Sequence, residues 1–289
     1  MSGLDVAVRT ALRSRSERWY SGLACAVSAP CWERLAAFGL FREGYGTARA
    51  LRADPEAPRG GGITTQAGWR RPLPIETFDA SMLARYTAIG IEPAGELPIA
   101  SVAHALAGAM QLLDEISTVG DTVRNLVWSV VPIAVAGTAY DSSYSDPAVP
   151  FSIFLGVHAP DARIPAIRLA EGILHETMHL QLSLFEDLVP LVSGNDDRSY
   201  SPWQRTPRPT QGLLHGLYVF RVIQDWLSAL ISGQRLRGET LIHAQKRIDQ
   251  IESDCAELTG LPSSDELTAA GKSLAGALAV HAQGAGRRG

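Results

Sequence analysis

Residues 168–182 read RLAEGILHETMHLQL, and their pattern organises everything around them. Ile173, Leu174, Met178, Leu180, Leu182 and Leu184 surround two histidines at helical spacing, which predicts a long, largely buried helix over residues 164–191, with Pro165 in its first turn. Within it stands His175-Glu176-Thr177-Met178-His179, an HExxH segment. Histidines at i and i+4 project from one face, about 40° apart around the axis and about 6 Å along it, so both imidazoles can meet one ion. On a buried helix two histidines need a partner, and a divalent metal is the partner this spacing suits; packed core histidines are the alternative.

The third ligand decides which chemistry follows. Leu182 and Phe185 occupy the Gly and His positions of the longer HExxHxxGxxH pattern, which excludes that subclass. Between residues 195 and 230 there is no Glu to serve as a downstream carboxylate ligand. Glu186 has the right helical phase but sits about 10 Å beyond His179 along the axis, and Asp187 points about 80° away. Asp196, Asp197 and Asp225 stay open. His215 is the better candidate, near the start of a second apolar helix (residues 212–231) and followed by Gly216, where a metal or another backbone can come close.

Outward from this centre, helical spacing is expected at residues 6–23, 31–41, 79–89, 97–116 and 238–258. The helix at 97–116 is apolar almost all round, so a core helix is expected and its His104 is a packing residue. Residues 53–74 turn to Pro, Gly and Arg and read as a loop, with Arg70 and Arg71 as solvated charges. Residues 126–135 (LVWSVVPIAV) and 151–157 (FSIFLGV) read as strands flanking a polar loop, paired antiparallel or neighbours in one small sheet; Pro132 puts the first at an edge or a bulge. The expected fold is mainly α with a small antiparallel β-sheet (α+β), the HExxH helix packed on the second ligand-bearing helix in a zincin-like core. Residues 1–125 form a helical N-terminal region, 126–283 the metal-binding domain and 284–289 a disordered tail.

Composition narrows the function. The chain has 289 residues, 46% hydrophobic and 19% charged, with 30 acidic against 26 basic side chains, which argues against a protein that coats nucleic acid. Cys25, Cys31 and Cys255 form no CxxC pair, and no run reaches the roughly 18 apolar residues of a membrane span. A cytoplasmic protein with no nucleic-acid or membrane partner is expected.

Three blocks, SYSDPAVPFSIFLGV (143–157), RLAEGILHETMHLQL (168–182) and YSPWQRTPRPTQGLLHGLYVF (200–220), occur in an order that resembles the HExxH-type peptide-modification proteins. That family accompanies ribosomally synthesised natural-product peptides and includes α-ketoglutarate-dependent peptide β-hydroxylases. The resemblance spans about residues 126–230; the first 120 residues share only their helical character. It implies a mononuclear non-haem iron(II) held by His175, His179 and His215, with α-ketoglutarate as co-substrate, O2 as oxidant and a ribosomal precursor peptide as the partner that is β-hydroxylated. Three histidines depart from the usual two-His-one-carboxylate set. The far carboxylate of the co-substrate needs a cationic clamp, for which Arg208 is the first choice and Arg205 and Arg221 are next. The family's PWR pattern reads Pro202-Trp203-Gln204-Arg205, with the arginine displaced by one position. Glu176 then orients a ligand or the substrate, and Ser143, Tyr144, Ser145 and Tyr218 line the pocket, unless they are ordinary loop and packing residues. Two other readings stand beside it: a zinc metallopeptidase with Glu176 as general base, and a catalytically silent peptide-binding subunit.

Overall fold

The computed structural model describes residues 21–37, 62–63, 73–78, 80–95, 99–135, 142–147, 149–158, 165–194 and 197–279. It is mainly helical with small sheets of two or three strands, an α+β protein. Contacts divide the chain into an N-terminal unit, Trp19–Leu184, and a C-terminal unit that takes in Phe185–Gly289. The boundary expected at 125/126 falls inside the N-terminal unit, in front of its sheet. The tail at 284–289, most of the 6–23 segment, Arg70, Arg71 and Asp196 lie outside the described residues.

The N-terminal unit contains α1 (Ser21–Ala37), β1 (Gly62–Ile63), β2 (Leu73–Pro74), α2 (Ala80–Thr87), α3 (Ile99–Asp114), α4 (Ser117–Leu126), β3 (Ser129–Ile133), β4 (Ser143–Ser145), β5 (Ser152–Gly156) and α5 (Ala166–Glu186). Helix α1 joins the two expected N-terminal segments and runs through Pro30. The Gly/Pro-rich stretch is not all loop: β1 and β2 form a short antiparallel pair, Gly62 opposite Pro74. On α3 the buried residues Val102, Leu106, Ala109, Met110 and Leu113 make one face, while His104 is exposed, so the helix is one-sided rather than buried all round.

The main sheet corrects the expectation of a purely antiparallel one. Its order is β3-β5-β4, with β3 parallel to β5 and β4 antiparallel to it. Parallel pairing needs a connection of about a dozen residues or more, and the chain from Ile133 to Ser152 exceeds that. The polar stretch read as a loop uses that length to supply β4 to the other side of β5. As the central strand, β5 is buried almost throughout, whereas β3 carries Pro132 at the edge, where a missing N–H is tolerated. Met82 and Tyr86 of α2 pack against Val131, Ile133, Val149 and Phe154 to close one sheet face. The same helix reaches the end of β4: Asp146 accepts hydrogen bonds from Arg85 (2.7 Å and 3.1 Å) and from the Tyr86 hydroxyl (3.1 Å). Burial and the neighbouring Asp146 carboxylate raise the Tyr86 phenol above its ordinary range. These bonds tie the end of β4 to α2.

The C-terminal unit contains the end of α5, β6 (Arg198–Ser201), β7 (Thr206–Pro209), α6 (Thr210–Ser232), α7 (Gly238–Ala256), a short 3-10 turn at Leu261–Ser263 and α8 (Ala269–Ala279). The stretch after α5, read as a loop, contains the antiparallel β6–β7 hairpin, and α8 occupies residues to which the spacing had assigned no element. Helix α6 is buried along most of its length, Trp226 among its fully buried residues. Among the described residues no helix is long and apolar enough to cross a membrane.

Candidate metal centre

Within the N-terminal unit, α5 brings His175 and His179 together as their spacing requires. Their Nε2 atoms lie 3.2 Å apart, with ring centroids 4.8 Å apart and planes inclined at 64°. Two nitrogens bound to one ion at about 2.1 Å, with an angle of about 90–110° between the bonds, stand about 3.0–3.4 Å apart, so the separation fits two ligands of one metal. It also fits a hydrogen bond between one protonated and one bare nitrogen, the form a metal-free pair takes.

Glu176 is 3% exposed and faces the sheet. Its two oxygens are held separately: the Ser143 hydroxyl donates to Oε1 at 2.6 Å and the Ser145 hydroxyl to Oε2 at 2.6 Å. Burial pushes its carboxyl up to about 7, against the two serine hydrogen bonds, which pull it down. Oε1 is also 3.9 Å from His175 Nε2. The alternation of β4 explains the arrangement. Ser143 and Ser145 share one face of the strand, and Tyr144 takes the other. Tyr144 packs there against Tyr86 and Phe154, at ring-centroid distances of 6.2 Å and 5.9 Å. Of the three β4 residues expected to line a pocket, the two serines meet Glu176 and Tyr144 joins the aromatic core.

His215 belongs to the C-terminal unit, on α6. There it meets Glu186: His215 Nε2 and Glu186 Oε2 are 2.9 Å apart, and the Gln211 amide donates to the same oxygen at 2.9 Å. Gln211 and His215 are one helical turn apart, so both reach one carboxylate. When Nε2–H donates to Glu186, the ring's lone pair lies on Nδ1. Glu186 Oε1 is buried and makes no hydrogen bond among the described residues. Neither unit by itself gathers three or more His, Cys, Asp or Glu side chains on one point, among the described residues. Asp225 stands about 15 Å from His215 along α6, and the exposed Asp197 has its backbone N–H bound by Glu266 Oε1 at 2.9 Å.

The close approach expected at Gly216 is made by a side chain. The indole of Trp203, from the hairpin turn, lies where a Cβ on Gly216 would stand, and it stacks on Phe220 with centroids 4.8 Å apart. Tyr218 is buried in the same helix.

The three arginines differ. Arg221 is buried and already engaged within its unit: it pairs with Glu252 at 2.6 Å and donates to Gln224 Oε1 at 2.7 Å and to the Leu278 carbonyl at 3.2 Å. Those bonds tie α6 to α7 and α8, so Arg221, expected as a candidate clamp for the co-substrate, is held by partners of its own unit. Arg205 is exposed in the hairpin turn with φ of 54°. Arg208 is exposed on β7, its guanidinium beside Gly212 in the first turn of α6.

Glu186 and Gln211 are the residues that sequence reasoning missed. Glu186 was set aside because of its distance from His179 along the helix, and a contact with a residue far down the chain leaves no local signal. The Gln211–His215 spacing was the available hint. No known family model matches the chain, and comparison with curated proteins finds no match.

Proposed function

We propose that the protein is a cytoplasmic iron(II)- and α-ketoglutarate-dependent oxygenase that β-hydroxylates a residue of a ribosomally synthesised precursor peptide, built on a zincin-like core. The observation that carries the reading is the His175–His179 pair, 3.2 Å between Nε2 atoms, beside a glutamate whose two oxygens are both held by serines. Neutral imidazoles with open positions beside them suit an oxygenase iron. The resemblance of residues 126–230 to the peptide β-hydroxylases supplies His215 as the third ligand. Bound iron(II), with α-ketoglutarate and O2, would supply the oxidising power to hydroxylate an unactivated C–H, as the co-substrate loses CO2 to become succinate.

The chain's own residues do the rest. His175 and His179 present Nε2 lone pairs to the ion, and Glu186 fixes the tautomer of His215 through its hydrogen bond. Glu176, held by Ser143 and Ser145, is a rigidly placed neighbour of His175. Arg208, exposed and able to make two parallel hydrogen bonds, clamps the far carboxylate of α-ketoglutarate.

A zinc peptidase is the second reading. Its support is the 3.9 Å between Glu176 Oε1 and His175 Nε2, which sets a carboxylate beside the metal-binding nitrogens where a general base for bound water would stand. The test is anaerobic loading with iron(II), then α-ketoglutarate: a visible charge-transfer band and, after O2, succinate formation and a peptide product heavier by one oxygen atom are expected. Peptide cleavage with zinc alone, and no response to α-ketoglutarate, would establish the peptidase instead.

A further inference from the structure

The β6–β7 hairpin has two unlike edges. Proline has no N–H, so the pairs Arg198↔Pro209 and Tyr200↔Pro207 are those that exchange no hydrogen bonds, and Ser199↔Arg208 and Ser201↔Thr206 are those that do. Backbone groups at non-bonded positions point outward. On β7 these belong to the two prolines, which offer carbonyls but no donors, and that edge is barred to a further strand. On β6 they belong to Arg198 and Tyr200, each with an N–H and a C=O. Among the described residues no third strand pairs with the hairpin. Arg198, Ser199 and Tyr200 are exposed, the tyrosine by 51%.

Charge and rigidity add to this. Residues 198–209 hold three exposed arginines, Arg198, Arg205 and Arg208, and no Asp or Glu; Asp197 stands just before them. Glu266 holds both feet of the hairpin, accepting the Asp197 N–H at one oxygen and the Thr210 hydroxyl at the other. Arg205 N–H closes the turn on the Ser201 carbonyl at 2.7 Å, and Trp203 packs the turn against Gly216. An edge held in this way is a preorganised template.

We infer that the outer edge of β6 docks the peptide substrate: an extended, acidic segment adds as a third strand, exchanging backbone hydrogen bonds with Arg198 and Tyr200 and setting a carboxylate beside Arg198. The inference rests on the reading of the protein as a peptide-modifying enzyme.

A fluorescein-labelled peptide of alternating Val and Glu, titrated onto the full chain and followed by anisotropy, is expected to bind. The same peptide N-methylated at alternate residues, and a Val/Lys counterpart, are expected to bind about tenfold more weakly or worse. Tyr200→Pro removes an outward N–H without touching a β6–β7 bond and is expected to weaken binding about tenfold, more than Tyr200→Ala, which keeps the N–H. Absence of binding by the Val/Glu peptide overturns the inference, as does equal binding of the methylated form, which carries the test should Tyr200→Pro not fold. A dimer of the wild-type chain that Tyr200→Pro dissociates would assign the edge to a second copy and also overturn it. The two readings separate: peptide binding without α-ketoglutarate turnover removes the oxygenase and keeps the docking edge, whereas hydroxylation undiminished in folded Tyr200→Pro removes the edge and keeps the oxygenase.

Discussion

Two glutamates of α5 show how differently the two units treat a carboxylate. In the N-terminal unit Glu176 lies in the interior and receives two serine hydroxyls, which satisfy its oxygens but bring no positive charge. In the C-terminal unit Glu186 meets an imidazole and an amide, both at one of its oxygens. Hydroxyl bonds hold a carboxylate in place while burial disfavours its ionised form, and Glu176 is pushed up to about 7 as a result. A carboxylate–histidine pair instead sets which ring nitrogen bears the proton. The N-terminal arrangement holds a buried carboxylate beside the His175–His179 pair, and the C-terminal one places a carboxylate on Nε2 of His215.

Substitutions in both units probe that contrast. The largest effect is expected from His175→Ala or His179→Ala, which should reduce bound metal to background in elemental analysis of anaerobically purified protein. His215→Ala should do the same to iron, and full retention there would remove His215 from the ligand set. Next comes Ser143→Ala with Ser145→Ala. Leaving both Glu176 oxygens without their donors should cost about 2–6 kcal/mol in urea unfolding, and a loss under about 1 kcal/mol would show that Glu176 draws its support from elsewhere.

Arg221→Ala should destabilise by about 1–3 kcal/mol, because Glu252 and the Leu278 carbonyl lose a buried partner but Glu252 can turn towards water. Arg208→Ala, at an exposed site, should leave stability within about 0.5 kcal/mol and instead raise the KM for α-ketoglutarate about tenfold. A reversed pattern would exchange the two roles. The smallest effect is expected from Glu186→Gln: near-normal stability, with iron affinity about tenfold lower in competition with a chelator. Unchanged affinity would confine Glu186 to holding α5 and α6 together within its unit.

The elements nearest the histidine pair were legible because their periods are strong. The apolar spacing around residues 173–184 and 212–231 anticipated α5 and α6, and Pro132 marked β3 as an edge strand. The hairpin was hidden because Arg198–Pro209 is polar and rich in proline, which locally resembles a loop; its strands persist because Glu266 and Trp203 hold them from outside. The direction of β5 was hidden for a similar reason. A parallel or antiparallel partner presents the same alternation, and only the path of the connecting chain distinguishes them. Arg221 reads in sequence like any helix arginine; its burial against Glu252 and Leu278 is visible only once α7 and α8 pack on α6.

By itself the sequence determined that His175 and His179 share one face of one helix, because a four-residue spacing and a helical period leave no other outcome. It also determined that a carboxylate lies between them in the chain. Tertiary structure decided what surrounds those groups: Ser143 and Ser145 on Glu176, Glu186 and Gln211 on His215, and interior bonds for Arg221 where a clamp had been expected. Local periodicity places a side chain on its own element, whereas its hydrogen-bond partners come from elements distant in the chain, and it is those partners that select the tautomer, the charge and the role.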